Sequence, residues 1–277
     1  MYDYYKGCSM FRMIENVLTK NTMDKAMRNL IQKYQYSNFD EDDLLAEFQS
    51  AATEDNIQLF EHQGSIDRVF KSWFHKPNYP IKNETHLWDI PLNFATSKEP
   101  NFEETTAEYI LPKVPILTIR ANGKFMLDQN EWIIMNKQQT GLYVVNYDQH
   151  NWEVIAEALA YSHESIHYLN RAQIVRDVMV LHANNYLSLE IAFDVLSYLS
   201  QETDLTVWRS AINTLMYFNT VLEDGKAEEK FKEFVREIIK EIVEIVKIQD
   251  SDPEEKAFIS DTRISLLELA CEVDHPG

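Results

Sequence analysis

The sharpest chemical signal in the chain is five residues long: His163, Glu164, Ser165, Ile166 and His167. Two imidazoles four positions apart, with a carboxylate directly after the first, reproduce the H-E-x-x-H spacing. On a continuous helix both rings reach one Zn²⁺ and the glutamate faces its bound water as general base, an arrangement for hydrolysing peptide bonds. That chemistry also asks for a third protein ligand. A glutamate roughly twenty residues beyond the second histidine would serve, but that window holds Asn185, Tyr186 and Leu187, and Glu190 lies too far along. A glycine and a histidine following closely would also serve, but the chain continues YLNRAQ.

The elements that would have to position these side chains argue the same way. The run 151-NWEVIAEALAY-161 reads as a helix ending near Ser162, and Asn170 reads as the N-cap of the next helix. The motif then falls in the connection, where nothing imposes the one-turn spacing of the two rings. The expectation is that His163, Glu164 and His167 hold no metal and form a polar inter-helix segment, with His167 partly packed.

Composition narrows the function further. The 277 residues are 45% hydrophobic and 12% aromatic with only 6 Gly and 8 Pro, a globular balance with room for more than one domain. Acidic residues outnumber basic ones 45 to 26, for a formal charge of −19. No Lys/Arg stripe is present to neutralise phosphates, which excludes a nucleic-acid partner and disfavours anionic membranes. No apolar run approaches the roughly 20 residues of a membrane span. The opening MYDYYKGCSMFRM lacks the apolar segment and cleavage site of a signal peptide, which by itself gives a cytosolic pattern. Cys8 and Cys271 sit far apart and form no C-x-x-C pair.

Periodicity divides the chain in three. Residues 1–76 repeat at helical spacing: Met10, Met13, Ile14, Val17 and Leu18; then Met23, Met27, Leu30, Ile31 and Tyr34. Asp40 reads as the N-cap of a helix through Leu44, Leu45 and Phe48, and a fourth helix carries Ile66, Val69, Phe70 and Trp73 before Pro77 and Pro80. These Met-rich stripes are core packing rather than a cofactor box. After Pro80, the runs LWDIPLNFA, ILTIR, KFMLD, EWIIMN and GLYVVNYD are short and β-rich, with a turn at Asn122-Gly123, and predict a small β-sandwich. From Asn151 helices return, through Ile174–Leu181, Ile191–Leu199, Trp208–Phe218 and Phe231–Val246, with Asp252-Pro253 opening a last one. Short connections between them predict hairpins or a solenoid.

Several of these segments resemble one family. The stretch 4-YYKGCSMFRMIENVL-18 looks like the Y-x-K-G-x-x-x-x-x-M element of zinc aminopeptidases of the aminopeptidase N (gluzincin) type, and 36-YSNFDEDDLLAEFQSA-51 matches a following segment with its Asp-Leu pair. The stretch 73-WFHKPNYPI-81 resembles the W-x-x-x-x-G-Y-P element closing the catalytic domain, with Asn78 in place of the glycine. Then 88-WDIPLNF-94 and 141-GLYVVNYDQHNW-152 resemble two sandwich signatures, with Val144 where an arginine is usual. Finally 170-NRAQIVRDVMVL-181 and 198-YLSQETDLTVW-208 are similar to the entry of the helical C-terminal domain, with Arg176 where an acidic residue is common.

The resemblance implies a multi-domain α+β chain. Residues 1–82 would be the helical tail of a thermolysin-like catalytic domain, 83–150 a small β-sandwich, and 151–277 the opening hairpins of the ERAP-like helical domain. It implies that the family's zinc-binding H-E-x-x-H and its G-x-M-E-N loop lie upstream of Y-x-K-G, so that zinc belongs to the intact family and this chain holds no cofactor. Under the same alignment His163 and His167 fall outside the active site. Tyr4 corresponds to the tyrosine whose hydroxyl donates to the oxyanion on the scissile carbonyl, idle here without the zinc. The stretch 270-ACEVDHPG-277 resembles a segment in which two cysteines close a disulfide loop, and Cys271 stands one residue short of its partner. The implied protein is an incomplete aminopeptidase, inactive alone, whose full-length relatives take peptides and reside at the plasma membrane or outside the cell. A second reading is a stand-alone, non-catalytic product that binds peptides or pairs through its helical domain. A third is an unorthodox protease using His163, Glu164 and His167. If the chain is cut from a larger catalytic domain, the apolar faces of helices near 8–18, 23–36, 40–52 and 64–74 should be left bare.

Overall fold

The computed structural model describes residues 2–57, 65–75, 88–111, 128–223, 225–248 and 257–276. These residues are mostly helical, with a few short strands, and they divide into two compact units. One unit comprises residues 1–128 and 133–145, and the other residues 129–132 and 146–277.

The first unit opens with four helices: α1 (Tyr2–Leu18), α2 (Lys20–Lys33), α3 (Glu41–Glu54) and α4 (Ile66–His75). The start of α3 follows directly from sequence. The Asp40 carboxylate accepts the Asp43 N–H at 3.0 Å and the Asp43 carboxylate accepts the Asp40 N–H at 3.2 Å, a closed capping box. Glu41, Asp42 and Asp43 in its first turn also complement the positive end of the helix dipole. Exposed pairs lace α2 to α3: Lys25 with Glu54 and Asp55, and Lys33 with Glu47. Lys25 and the Thr22 hydroxyl, both donating to Asp55, hold its carboxyl below the usual carboxylate range. Such surface pairs contribute little; the apolar stripes hold the helices together.

Those stripes are not bare. Met13, Ile14, Val17, Leu18, Leu45, Phe48, Phe70 and Trp73 are each at most 1% exposed. They share one core with Trp88, Ala107, Ile110 and Tyr143 from the segments that follow, and with partly buried Ile90, Leu142 and Val145. The expectation of uncovered helical faces is therefore corrected for these residues, whose burial partners the chain itself supplies, whereas Ile31 of α2 stays 62% exposed and Phe39 before α3 51% exposed. Polar contacts reinforce the junction. Trp73 Nε1 donates to the Asp89 carbonyl at 2.9 Å, the Ala107 N–H donates to the Asn16 carbonyl at 3.0 Å, and the Thr105 hydroxyl donates to Asn16 Oδ1.

Among the described residues the strands of this unit are three residues each: β1 (Ile90–Leu92), β2 (Phe94–Thr96), β3 (Tyr109–Leu111) and β4 (Ile133–Met135). β1 pairs antiparallel with β3 and β2 with β4. The runs ILTIR and 124–127 of KFMLD lie outside the described residues. The run GLYVVNYD forms no strand. The Asn136 amide brackets Gly141, accepting its N–H at 2.7 Å and donating to its carbonyl at 2.9 Å, and the Tyr143 hydroxyl donates to the Pro91 carbonyl at 3.0 Å. Gly141 is required for that packing: a Cβ there would lie 2.1 Å from the Tyr143 ring. Asn136, Gln138 and Gln139 all adopt positive φ (66°, 51° and 54°), and the Arg12 guanidinium on α1 donates to the carbonyls of Gln138 and Gln139 at 3.0 and 2.8 Å. Two non-glycine residues in this region at adjacent positions are costly, and the charge-assisted clamp offsets that cost.

The second unit contains α5 (Gln149–Ser162), α6 (Tyr168–Ala183), α7 (Leu189–Leu196), α8 (Leu205–Leu222), α9 (Glu228–Ile248) and α10 (Ala257–Glu272). Each start from α5 to α8 has a side-chain cap: Asp148, His167, Ser188 and Asp204. Helix α6 packs on α8, α5 on α7, and α10 on both α8 and α9. Its core holds Trp152, Tyr198, Trp208 and Phe218, all at most 1% exposed. Asp252-Pro253, read as the start of the last helix, lies outside the described residues.

Candidate functional site

Tyr4 lies in the first turn of α1, on the Y-x-K-G stretch; its side chain is outside the described residues. Three residues on, a Cβ placed on Gly7 would meet nothing within 4 Å, and Cys8 beside it is an exposed free thiol. This end of α1 is open on that side, whereas Met10, Met13 and Ile14 further along are closed into the core.

The H-E-x-x-H residues occupy the passage from α5 to α6. Ser162 leaves helical geometry (φ −157°, ψ 49°), His163 to Ser165 form a single 3₁₀ turn, and Ile166 is extended (φ −107°, ψ 125°). The two histidines are therefore not stacked one helical turn apart. His163 lies against the Tyr198 ring, centroids 5.9 Å apart. His167 rests on the Tyr168 ring at 4.5 Å, and its Nδ1 accepts the Leu169 N–H at 3.2 Å. His167 is thus the N-cap of α6. The sequence had suggested Asn170 for that role, but Asn170 is wholly buried in the first turn of the helix. Asn170 carries the better intrinsic cap propensity, and burial overrides it. Glu164 is exposed on the 3₁₀ turn. A ring nitrogen engaged as a cap, rings leaning on two different tyrosines and a broken helix do not fit a Zn²⁺ shared by these residues.

Beneath this passage lies the most elaborate polar arrangement of the unit, which motif spacing alone did not reveal. Arg171 on α6 forks onto Glu202: Nε donates to Oε2 at 2.6 Å and Nη2 to Oε1 at 3.0 Å. Its Nη1 donates to the carbonyls of Ile166 at 2.7 Å and His163 at 3.3 Å. The Glu202 carboxylate accepts three further donors: the Tyr198 hydroxyl at 3.3 Å and the N–H groups of Thr203 and Asp204 at 3.0 and 2.9 Å. The Glu202 carbonyl accepts Trp208 Nε1 at 2.7 Å. Burial pulls the Arg171 guanidinium toward losing its proton, but the Glu202 hydrogen bonds and charge outweigh it and raise its affinity for the proton. Burial, with the Glu202 charge second, pushes the Tyr198 hydroxyl well above the usual phenol range. Signals for this cluster existed: an arginine at the head of the apolar run 171–181, and a glutamate between Leu199 and the capping Asp204.

An arrangement of this kind, fully hydrogen-bonded and closed to solvent, is that of a packing keystone and not of a reaction centre. The class of the protein comes from what its two units are similar to. Residues 1–73 match the peptidase family M1 domain, and residues 132–277 match the ERAP1-like C-terminal domain. Among similar proteins, aminopeptidase N of Plutella xylostella is 29% identical over 257 residues, covering 84% of this chain and 27% of that protein. Aminopeptidase Q of Homo sapiens is 28% identical over 250 residues (80% and 24%), and membrane alanyl aminopeptidase of Manduca sexta 28% over 236 residues (76% and 23%). The chain belongs to the aminopeptidase N family, within a metallopeptidase class that depends on zinc. It spans about a quarter of the length of these relatives. Among the described residues no helix is long and apolar enough to cross a membrane.

Proposed function

We propose that the chain is the part of an aminopeptidase N-type protein that follows its zinc site. Residues 1–82 form the helical end of the peptidase domain, 83–150 a small β-sandwich, and 151–277 the opening hairpins of the helical C-terminal domain. The observation that supports this most is the order of the matched ranges, peptidase domain first and ERAP1-like domain last, across one continuous chain. In this reading Tyr4 is the oxyanion donor for a peptide's scissile carbonyl. In this reading the intact protein takes peptides and works at the plasma membrane or outside the cell; the Manduca relative is named a membrane alanyl aminopeptidase. Because His163, Glu164 and His167 do not fit zinc, these 277 residues by themselves release no N-terminal amino acid. A fluorogenic aminoacyl substrate tests this with the purified chain and its Tyr4→Phe variant. Chelator-sensitive turnover in the chain that Tyr4→Phe abolishes would overturn the reading.

One observation favours a second reading, a stand-alone binding protein derived from the family. Among the described residues the N-terminal helices share a closed core with Trp88, Ala107, Ile110 and Tyr143. Sequencing the transcript for an in-frame H-E-x-x-H ahead of residue 1 separates the two. Sedimentation of the purified chain reports whether it also pairs with itself through the helical domain.

A further inference from the structure

We propose that the H-E-x-x-H segment is a socket for an internal cation, the Arg171 guanidinium, and that this occupation, with the His167 cap, closes the segment to metal. The segment's backbone acceptors are already in use. The carbonyls of His163 and Ile166 converge on Arg171 Nη1 at 3.3 and 2.7 Å. His167 gives its Nδ1 lone pair to the Leu169 N–H, which opens α6. The His163 ring leans on Tyr198, whose hydroxyl is itself committed to Glu202. A fixed positive charge therefore sits inside the five-residue segment, already neutralised by the bidentate Glu202 carboxylate.

A metal bond to His167 would have to displace the N-cap of α6, and the His163 and Ile166 carbonyls are already taken by Arg171. The same letters that hold zinc on a continuous helix here turn the chain between two helices and bind it to residue 202, far along the sequence. Each of the two histidines has its own part. His167 is a helix cap, replaceable by any good capping side chain; His163 is a ring packed on Tyr198. Glu164 has no part in holding the guanidinium, since the carboxylate that does so is Glu202.

The test uses the full chain and zinc itself. Equilibrium dialysis against Zn²⁺ with metal analysis is run on the native chain, on His163→Ala/His167→Ala, and on His167→Ser. Thermal melting is followed on the same proteins and on His167→Ala, with and without chelator. We expect no stoichiometric zinc on the native chain and a melting point indifferent to chelator. His167→Ser should melt with the native chain, because serine caps, whereas His167→Ala should melt about 3 °C lower. Tightly held zinc at one per chain, lost in the double alanine variant, would overturn the proposal. Equal melting of the alanine, serine and native proteins would overturn the capping role, and with it the account of why metal is excluded. None of the three histidine variants removes a fully buried side chain, so all are expected to fold.

Discussion

Replacing Glu202 with glutamine changes one atom and should cost the second unit a large share of its stability. The Glu202 side chain is 1% exposed and accepts five hydrogen bonds: two from Arg171 and one each from Tyr198, Thr203 and Asp204. Glutamine keeps one oxygen. If it stays where Oε1 was, the Thr203 and Asp204 N–H groups remain paired, but an NH₂ then faces Arg171 Nε and the Tyr198 hydroxyl, and the guanidinium is left buried without its counter-charge. Removing one partner of a buried pair costs about 3–5 kcal/mol, against about 5–15 kcal/mol for a whole domain. At roughly 3 °C per kcal/mol for a unit of this size, melting should fall by about 10–15 °C. Urea titration followed by tryptophan fluorescence is the assay, since Trp208 Nε1 sits on the Glu202 carbonyl. An Arg171→Met/Glu202→Leu double variant removes the unpaired charge but leaves the Ile166 and His163 carbonyls and the Thr203 and Asp204 N–H groups without these partners, so it should recover only part of the loss. A loss under about 1 kcal/mol for Glu202→Gln, or a double variant as unstable as the single one, would refute this reasoning.

Three further outcomes follow from the same structure. Tyr198 keeps its proton in the fold above the pH where an unfolded tyrosine loses it, so its contribution is whole below about pH 10 and is lost as pH rises toward the folded value. Stability of the native chain should therefore fall above pH 10 more steeply than that of Tyr198→Phe, by about 1.4 kcal/mol per pH unit. Asp40→Ala removes the acceptor for the Asp43 N–H and should cost about 1 kcal/mol, read by urea titration, with faster hydrogen exchange confined to the first turn of α3. Native-state hydrogen exchange should find the amides of α1 and α3 facing Ile14 and Phe48 as slow as those of α6 and α8; fast exchange through all four N-terminal helices would show that their common core does not hold.

What the sequence disclosed was what is decided locally. Asp40 and the acidic turn after it announce α3 because a capping box needs only four consecutive residues. The apolar spacing located α2, α4 and the helices after Asn151 to within a few residues, and the run 141–148 misled because alternation describes any half-buried extended chain. There the Asn136 amide takes both backbone groups of Gly141, and the Tyr143 hydroxyl donates to the Pro91 carbonyl. Strand β3 is not legible in the sequence because Tyr109–Leu111 is too short to show a period. The covering of the N-terminal stripes depends on Trp88, Ala107, Ile110 and Tyr143, which no local pattern ties to α1 or α4. The Arg171–Glu202 pair is hidden for the same reason: 31 positions separate its halves.

The H-E-x-x-H case shows where the limit of a spacing argument lies. A motif specifies element types, but ligation depends on lone pairs, and whether a lone pair is available is settled by the backbone. In α5 the helix stops at Ser162, one residue before the motif, and from that point the two imidazoles lose the common direction that four-residue spacing would give them. The freed backbone carbonyls must then find donors, since buried acceptors are costly to leave unpaired. Arg171 satisfies two of them, and its charge in turn requires Glu202. Each step narrows the space for a metal further than the absence of a third ligand did. A turn between two helices needs polar, hydrogen-bonding groups, and here His167 supplies one as the cap of α6.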